Sequence, residues 1–188
     1  MREDLNSLLR RTRIVSGFIL FFYAATHLLN HSLAIFSIST ADAAREYFIA
    51  FWRNPAAEIF LFASFALHIL LGIQAVLRRK SFKMTKREWL QMTFPFVALL
   101  ALIPHVLTTA ILSRMFAVTD NYELIFAATL VDPSKASKNV IFFSLLVVLI
   151  WTHGVIGIHG LLKTKPLYAR LRQTIIGFYW AVPTLALV

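Results

Sequence analysis

Val140-Ile-Phe-Phe-Ser-Leu-Leu-Val-Val-Leu-Ile-Trp-Thr-His153-Gly-Val-Ile-Gly157-Ile-His159-Gly-Leu-Leu162 runs from end to end without a formal charge, and its reading decides the fold. A helix needs about 20 apolar residues to cross a hydrocarbon core ~30 Å thick, and this run is long enough. Three more runs reach that length: Ile14 to Phe36, Ala56 to Leu77, and Trp89 to Leu112. A fifth, Thr174 to Val188, stops short, so the expectation is either a half-span or a truncated span that continues beyond residue 188 in a parent protein. The 188 residues are 59% hydrophobic and 15% charged, with a mean hydropathy of +0.70. That leaves too little polar surface for a water-soluble globule. The expected fold is all-α, a single transmembrane helical bundle over residues 1–188.

All six histidines, His27, His31, His68, His105, His153 and His159, lie inside the apolar runs. An ionisable side chain in hydrocarbon is costly and marks a functional site facing the bundle interior. Spans two and four also end alike. His68-x3-Gly72-Ile-x3-Leu77-Arg78-x-Lys80 is matched by His153-x3-Gly157-Ile-x3-Leu162-Lys163-x-Lys165. Spans one and three match more loosely, through Ala-Thr-His27-Leu-Leu and Ile-Pro-His105-Val-Leu, so the chain reads as a duplicated hairpin able to build two similar sites.

The charges orient the bundle. Most of the 19 basic residues precede span one, follow span two (Arg78 to Arg87) or follow span four (Lys163 to Arg172). By the positive-inside rule this predicts a multi-pass protein with a cytoplasmic N-terminus. The formal charge of +10 is therefore a topology and anionic-lipid signal, and nucleic acid is not expected as a partner. The absence of cysteine excludes disulfides, thiolate-held clusters and c-type haem attachment within the chain. A cleaved signal peptide is not expected, because span one is long and lacks a small-residue cleavage pattern. Between spans, Thr40-Ala-Asp-Ala-Ala-Arg-Glu-Tyr-Phe predicts an N-capped helix closed by Asn54-Pro55, with Tyr47, Phe48, Phe51 and Trp52 suited to an interfacial aromatic belt. The segment Ser113 to Asn139, with Asp120, Glu123 and Asp132-Pro133-Ser134, predicts partial structure.

Depth pairs the histidines. At 1.5 Å per residue His68 lies ~18 Å and His153 ~20 Å below the outer ends of their spans, against ~14 Å for His27 and ~10 Å for His105. This gives an inner pair, His68 with His153, and an outer pair, His27 with His105, as two bis-histidine haems require. His31 sits one turn beyond His27 and is the alternative ligand from span one. His159, near the inner end of span four, reads as a propionate or water partner. Gly72 and Gly157, each four residues after a ligand candidate, open the helix surface to a flat macrocycle, and Gly154 and Gly160 widen the groove. Small residues also serve helix packing in membranes. Zinc is the competing metal, but it takes three or four ligands and each pair offers two.

These residues resemble the dihaem cytochrome b membrane domain of the succinate dehydrogenase and fumarate reductase superfamily. The resemblance spans the whole chain by topology, and its motifs are short: His27-Leu-Leu-Asn30-His31 on the first ligand helix, His-x3-Gly at His68/Gly72 and His153/Gly157, and a lone His105 on the third. It implies two haem b groups, one held by His27 and His105 and the other by His68 and His153, with quinone as a redox partner. Glu58, at the outer mouth of span two, is a candidate for a quinone site beside its plain reading as an interfacial acid. The basic inner loops and the Arg-Glu-Tyr-Phe outer helix also resemble the N-terminal membrane anchors of bacterial class III adenylate cyclases. That resemblance implies the bacterial inner (plasma) membrane and a cytoplasmic catalytic or output domain beyond residue 188. No catalytic domain is expected within the chain itself. The functional expectation is a redox- or quinone-sensing anchor for such a cyclase. The alternatives are an electron-transferring cytochrome b subunit of a quinone oxidoreductase and a haem-free, histidine-lined proton or ion pathway. Self-association of the bundle is a further expectation.

Overall fold

The computed structural model describes residues 2–117 and 121–187, so Asp120 and Val188 fall outside the described residues. Among the described residues eight α-helices follow one another: α1 Arg2–Ser32, α2 Ile38–Trp52, α3 Pro55–Leu77, α4 Lys86–Val106, α5 Ser113–Met115, α6 Tyr122–Leu130, α7 Pro133–Leu162 and α8 Pro166–Leu187. No strand occurs among the described residues. Among the described residues four stretches are long and apolar enough to cross a membrane: Asp4–Ile35, Pro55–Leu77, Lys86–Ile111 and Pro133–Leu162, with hydropathies of 1.4, 2.2, 2.0 and 2.3. Only 6% of the apolar window of Pro55–Leu77 is buried within the chain, so its large side chains face outward, as lipid requires. The protein is accordingly a multi-pass membrane protein by the length and composition of its helices.

Local chemistry places the helix ends. Asn54 accepts from the Ala56 amide at 3.1 Å with Pro55 at the first helical position, so the predicted stop of α2 is also the start of α3. Thr85 and Glu88 form a reciprocal capping box at the start of α4, with bonds of 3.3 and 2.9 Å. Ser37, rather than Thr40, caps α2 by accepting from the Thr40 amide at 3.0 Å. The helices overrun the apolar runs: α1 begins at Arg2 and α7 at Pro133. The chain-terminal helix begins at Pro166, eight residues before the expected fifth span, and it is not among the four stretches apolar enough to cross. Proline starts it early, and Arg170 and Arg172 dilute its hydropathy.

The packing follows the duplicated hairpin. α1 packs chiefly on α3 and α4 on α7, while α8 lies against α1 and α7. The N-terminal end of α1 and the end of α3 are joined by Arg78, which donates to Asn6 Oδ1 at 3.0 Å. The start of α4 and the end of α7 are joined by Arg87, which donates to the Ile156 carbonyl at 2.9 Å. This end of the bundle, where the basic loops gather, is called the basic end below. The core joining the two hairpins is aromatic. Trp151, 2% exposed, stacks on Phe21 at 4.9 Å between ring centroids, with Ala25, Leu28 and Val182 around it. α7 approaches α1 at Gly154, where an added Cβ would lie 2.5 Å from Cδ2 of Phe21.

At the opposite end, α2 and α6 form a cover. The Asn30 side chain, 6% exposed, donates to the Ala41 carbonyl at 3.0 Å and ties α2 to α1. Asp42 accepts from the Tyr122 amide at 2.8 Å and ties α2 to α6. The predicted aromatic belt divides by helical geometry: Tyr47 and Phe51 are 81% and 57% exposed, while Trp52, one turn from Phe48, turns inward and donates to Thr26 Oγ1 at 3.1 Å. Gly154→Ala should lower stability by about 1–3 kcal/mol, because the new methyl overpacks the Phe21 ring. Gly177→Ala, where a Cβ meets nothing within 4 Å, should not, and thermal melts in detergent compare the two.

Candidate functional site

His68 on α3 and His153 on α7 face each other with ring centroids 6.1 Å apart and planes at 79°. Each ring is held from behind by a backbone carbonyl. The Nδ1 of His68 lies 3.1 Å from the Arg13 carbonyl and 3.3 Å from Ser16 Oγ, and the Nδ1 of His153 lies 3.1 Å from the Gln91 carbonyl. A carbonyl only accepts, so both rings carry their proton on Nδ1 and keep the Nε2 lone pair for another partner. That is the arrangement that prepares an imidazole to bind a metal, with a carbonyl orienting the ring from its far side.

Two residues outside the predicted set make this possible. Gln91 is four residues before Pro95, which has no amide hydrogen, so the Gln91 carbonyl lacks its usual helical donor. His153 supplies one. The second is Gly17 on α1: an added Cβ would lie 2.8 Å from Cε1 and 3.2 Å from Nδ1 of His68, so only glycine admits the ring at this depth. The same proline device recurs beside the site. Pro183 leaves the Tyr179 carbonyl without its helical donor, and Trp151 Nε1 donates to that oxygen at 2.7 Å. Both prolines were visible in the sequence as breaks in apolar helices, but which side chain answers each freed carbonyl depends on helices far apart in the chain.

The second pair is His27 on α1 and His105 on α4, with centroids 6.2 Å apart and planes at 58°. Its shell is aromatic. Tyr23 stacks on His27 at 5.6 Å, Phe48 lies 5.6 Å from it, and Phe143 packs edge-on to His105 at 6.2 Å. His31 joins the pair, with its Nε2 3.1 Å from Nε2 of His27 and its ring edge-on to Tyr122 at 5.2 Å. After His105, α4 widens into a π-helical segment over Leu107–Leu112, where Thr109 donates to the His105 carbonyl at 2.7 Å.

The remaining predicted residues lie as follows. Nothing comes within 4 Å of a Cβ added at Gly72, whereas Gly157 faces Gln91 Nε2 at 3.4 Å and Gly160 faces Arg87 Nη2 at 2.9 Å. His159 hydrogen-bonds the Tyr168 hydroxyl through Nδ1 and lies in the basic end, apart from both pairs. Glu58 is in an ion pair with Arg114 at 2.6 Å. Among the described residues no group of three or more His, Cys, Asp or Glu is arranged to hold a metal ion. No protein-family model, no curated protein and no solved structure matches the chain.

Pro95→Ala should restore an amide donor to the Gln91 carbonyl and release His153 from its single tautomer. Removing an interior proline favours the helix by as much as about 3 kcal/mol, so the variant should melt no lower than wild type. ¹⁵N NMR of histidine-labelled protein reads the tautomer directly. An unchanged spectrum at His153 would mean that another group orients the ring.

Proposed function

We propose that this chain is a dihaem b membrane anchor with a redox- or quinone-sensing role for a cytoplasmic class III adenylate cyclase, with His68 and His153 on the inner haem and His27 and His105 on the outer one. One observation carries the haem reading: two histidine pairs on four different helices have the same separation, 6.1 and 6.2 Å between ring centroids. With metal–nitrogen bonds of about 2.0 Å, His68 with His153 and His27 with His105 could each hold one metal between their rings. A metal held by only two protein ligands must bring the others with it, as an iron in a planar macrocycle does. Haem iron with both axial positions filled by imidazole supplies one-electron transfer and is closed to oxygen.

The chain's own groups fit that role unequally. On the inner side both rings are held through Nδ1 by carbonyls, which leaves each Nε2 without a proton, and nothing comes within 4 Å of a Cβ added at Gly72. On the outer side His27 holds His31 through the same nitrogen that a metal would take, so binding there exchanges one partner for the other. The direct His27–His31 contact is also the observation that favours the second reading, a histidine-lined proton pathway without haem.

The sensing role draws on the resemblance to cyclase anchors and on how α7 meets α8. The helix that carries His153 is bonded to α8 through Trp151 and the Tyr179 carbonyl, and again through His159 and Tyr168. A change of charge at His153 therefore has a mechanical neighbour on the basic side. An electron-transferring subunit of a succinate dehydrogenase or fumarate reductase type complex would use the same two sites without that output.

Protein purified from haem-replete cells should be red, with two low-spin haems per chain by pyridine haemochrome assay and EPR. His68→Ala or His153→Ala should remove the inner haem and spare the outer, and His27→Ala or His105→Ala the reverse. A colourless preparation rejects the haem reading and turns attention to proton flux. If His31→Ala abolishes the outer haem while His27→Ala retains it, the ligand on α1 is His31. Cyclase output that ignores both redox poise and His153→Ala, in the chain joined to its downstream sequence, leaves the respiratory role.

A further inference from the structure

We propose that the groove between α1 and α3 holds one anionic phospholipid of the leaflet at the basic end. Its phosphate sits at Arg11 and Thr12, an ester carbonyl accepts from the Ser64 hydroxyl, and an acyl chain follows Ile19, Phe22 and Phe60. The site stands whether or not the histidines hold haem. Two hollows lie along this groove. One, of about 270 Å³, has Arg11, Thr12, Ser16 and Ser64 among its walls. The other, of about 500 Å³, is aromatic, with Phe18, Phe22, Phe60 and, from α2, Trp52 among its walls. Ile19 lines both. On α1, Val15, Ile19 and Phe22 fall at i, i+4 and i+7, and on α3 Phe60, Ser64 and Leu67 do the same, so each helix lends one stripe to the groove.

The polar end of the groove lacks an acceptor. Three polar residues are buried among the described residues: Ser16, Asn30 and Ser64. Ser16 donates to the Arg13 carbonyl at 3.1 Å and Asn30 to the Ala41 carbonyl at 3.0 Å. Ser64, 5% exposed, has no hydrogen-bond partner among the described residues and lines the smaller hollow. Other hydroxyls of the spans fold back on their own helix, as Thr26 does to the Phe22 carbonyl and Thr93 to the Trp89 carbonyl, at 3.0 and 2.9 Å. A buried hydroxyl left unmatched is costly, and a lipid ester carbonyl, which only accepts, answers it. The levels agree with that partner. Arg13 is the last charge before the uncharged run Ile14 to Phe36, so Arg11 stands at the height of lipid phosphates. Ser16, beside Ser64 in the hollow, is five residues or roughly 7.5 Å deeper. Phe22 is eleven residues or roughly 16 Å deeper, which is about half of a ~30 Å core and so the reach of an acyl chain in one leaflet. Arg10, Arg11 and Arg13 bring three positive charges to the mouth, and no acid lines either hollow. That charge selects a phosphate, where a neutral quinone ring would leave it unanswered. The lipid is then one side chain from the inner histidine pair, because Ser16 Oγ lies 3.3 Å from Nδ1 of His68.

The test uses the full chain in detergent micelles, with native mass spectrometry counting retained dioleoyl phosphatidylglycerol or dioleoyl phosphatidylcholine. Wild type should keep one phosphatidylglycerol per chain in preference to phosphatidylcholine. Arg11→Gln should weaken phosphatidylglycerol about fivefold and abolish the preference. Lys165→Gln, an exposed charge loss at the same end of the other hairpin, should change neither. Ser64→Ala should weaken both lipids alike, by roughly threefold, because both carry the ester. It breaks no hydrogen bond within the chain, so the fold is kept. A phosphatidylglycerol with a diazirine near its chain end should label α1 and α3 around Phe22 and Phe60. Equal losses in Lys165→Gln and Arg11→Gln mean a diffuse charge layer and overturn the proposal. Unchanged affinity in Ser64→Ala, or label spread over the other spans, overturns it as well. If Arg11→Gln does not assemble, Ser64→Ala and the label decide. Wild-type protein that retains an isoprenoid quinone, lost in Ser64→Ala while the phospholipid count is unmoved, also overturns it and gives the groove to quinone.

Discussion

The Gln91 carbonyl has no donor in its own helix, because Pro95 carries no amide hydrogen, and the way it is answered organises the interior. In water such an oxygen would be hydrated. Within a hydrocarbon layer every backbone polar group must find a partner inside the protein. His153 on α7 answers Gln91, and Trp151, two residues earlier and so on the opposite face of the same helix, answers the Tyr179 carbonyl freed by Pro183. α7 is thereby pinned between α4 and α8 by two bonds that neither neighbour can satisfy within its own ladder. The register of the central helix, and with it the depth of His153, follows from two prolines on other helices.

The two histidine pairs are built from different materials. At the pair nearer the basic end the rings are backed by carbonyls and by the buried hydroxyl of Ser16, so tautomer and direction are set before any ligand arrives. Polar backing of this kind suits a ligand whose charge changes, because fixed dipoles need little rearrangement when it does. At the opposite pair the walls are Tyr23, Phe48 and Phe143, and the polar neighbour is a third histidine. Under the dihaem reading the inner site is the preorganised one and the outer site is the one open to ligand exchange. A difference in environment between two sites of one duplicated motif is what a directional electron path needs.

By itself the amino-acid order determined a good deal. Long apolar runs with at most one formal charge are stable as helices in lipid, so four spanning helices, their hairpin pairing and the gathering of basic loops were legible in advance. Histidine depth was legible as well, because a helix converts residue number into distance at a fixed rise; His68 meets His153 and His27 meets His105 as counting implied. Asn30, quoted only as part of a motif, is a buried polar group that ties α1 to the Ala41 carbonyl, and neither its burial nor that bond was legible. What the tertiary structure alone decided is which faces meet. It set Gly17 against His68, placed Gly157 against Gln91 rather than in open space, and brought His31 onto His27. It also chose the side chains that answer Pro95 and Pro183. A sequence records that a carbonyl has lost its donor, but the replacement comes from another helix, and rotation about each helix axis is settled only when all of them pack together.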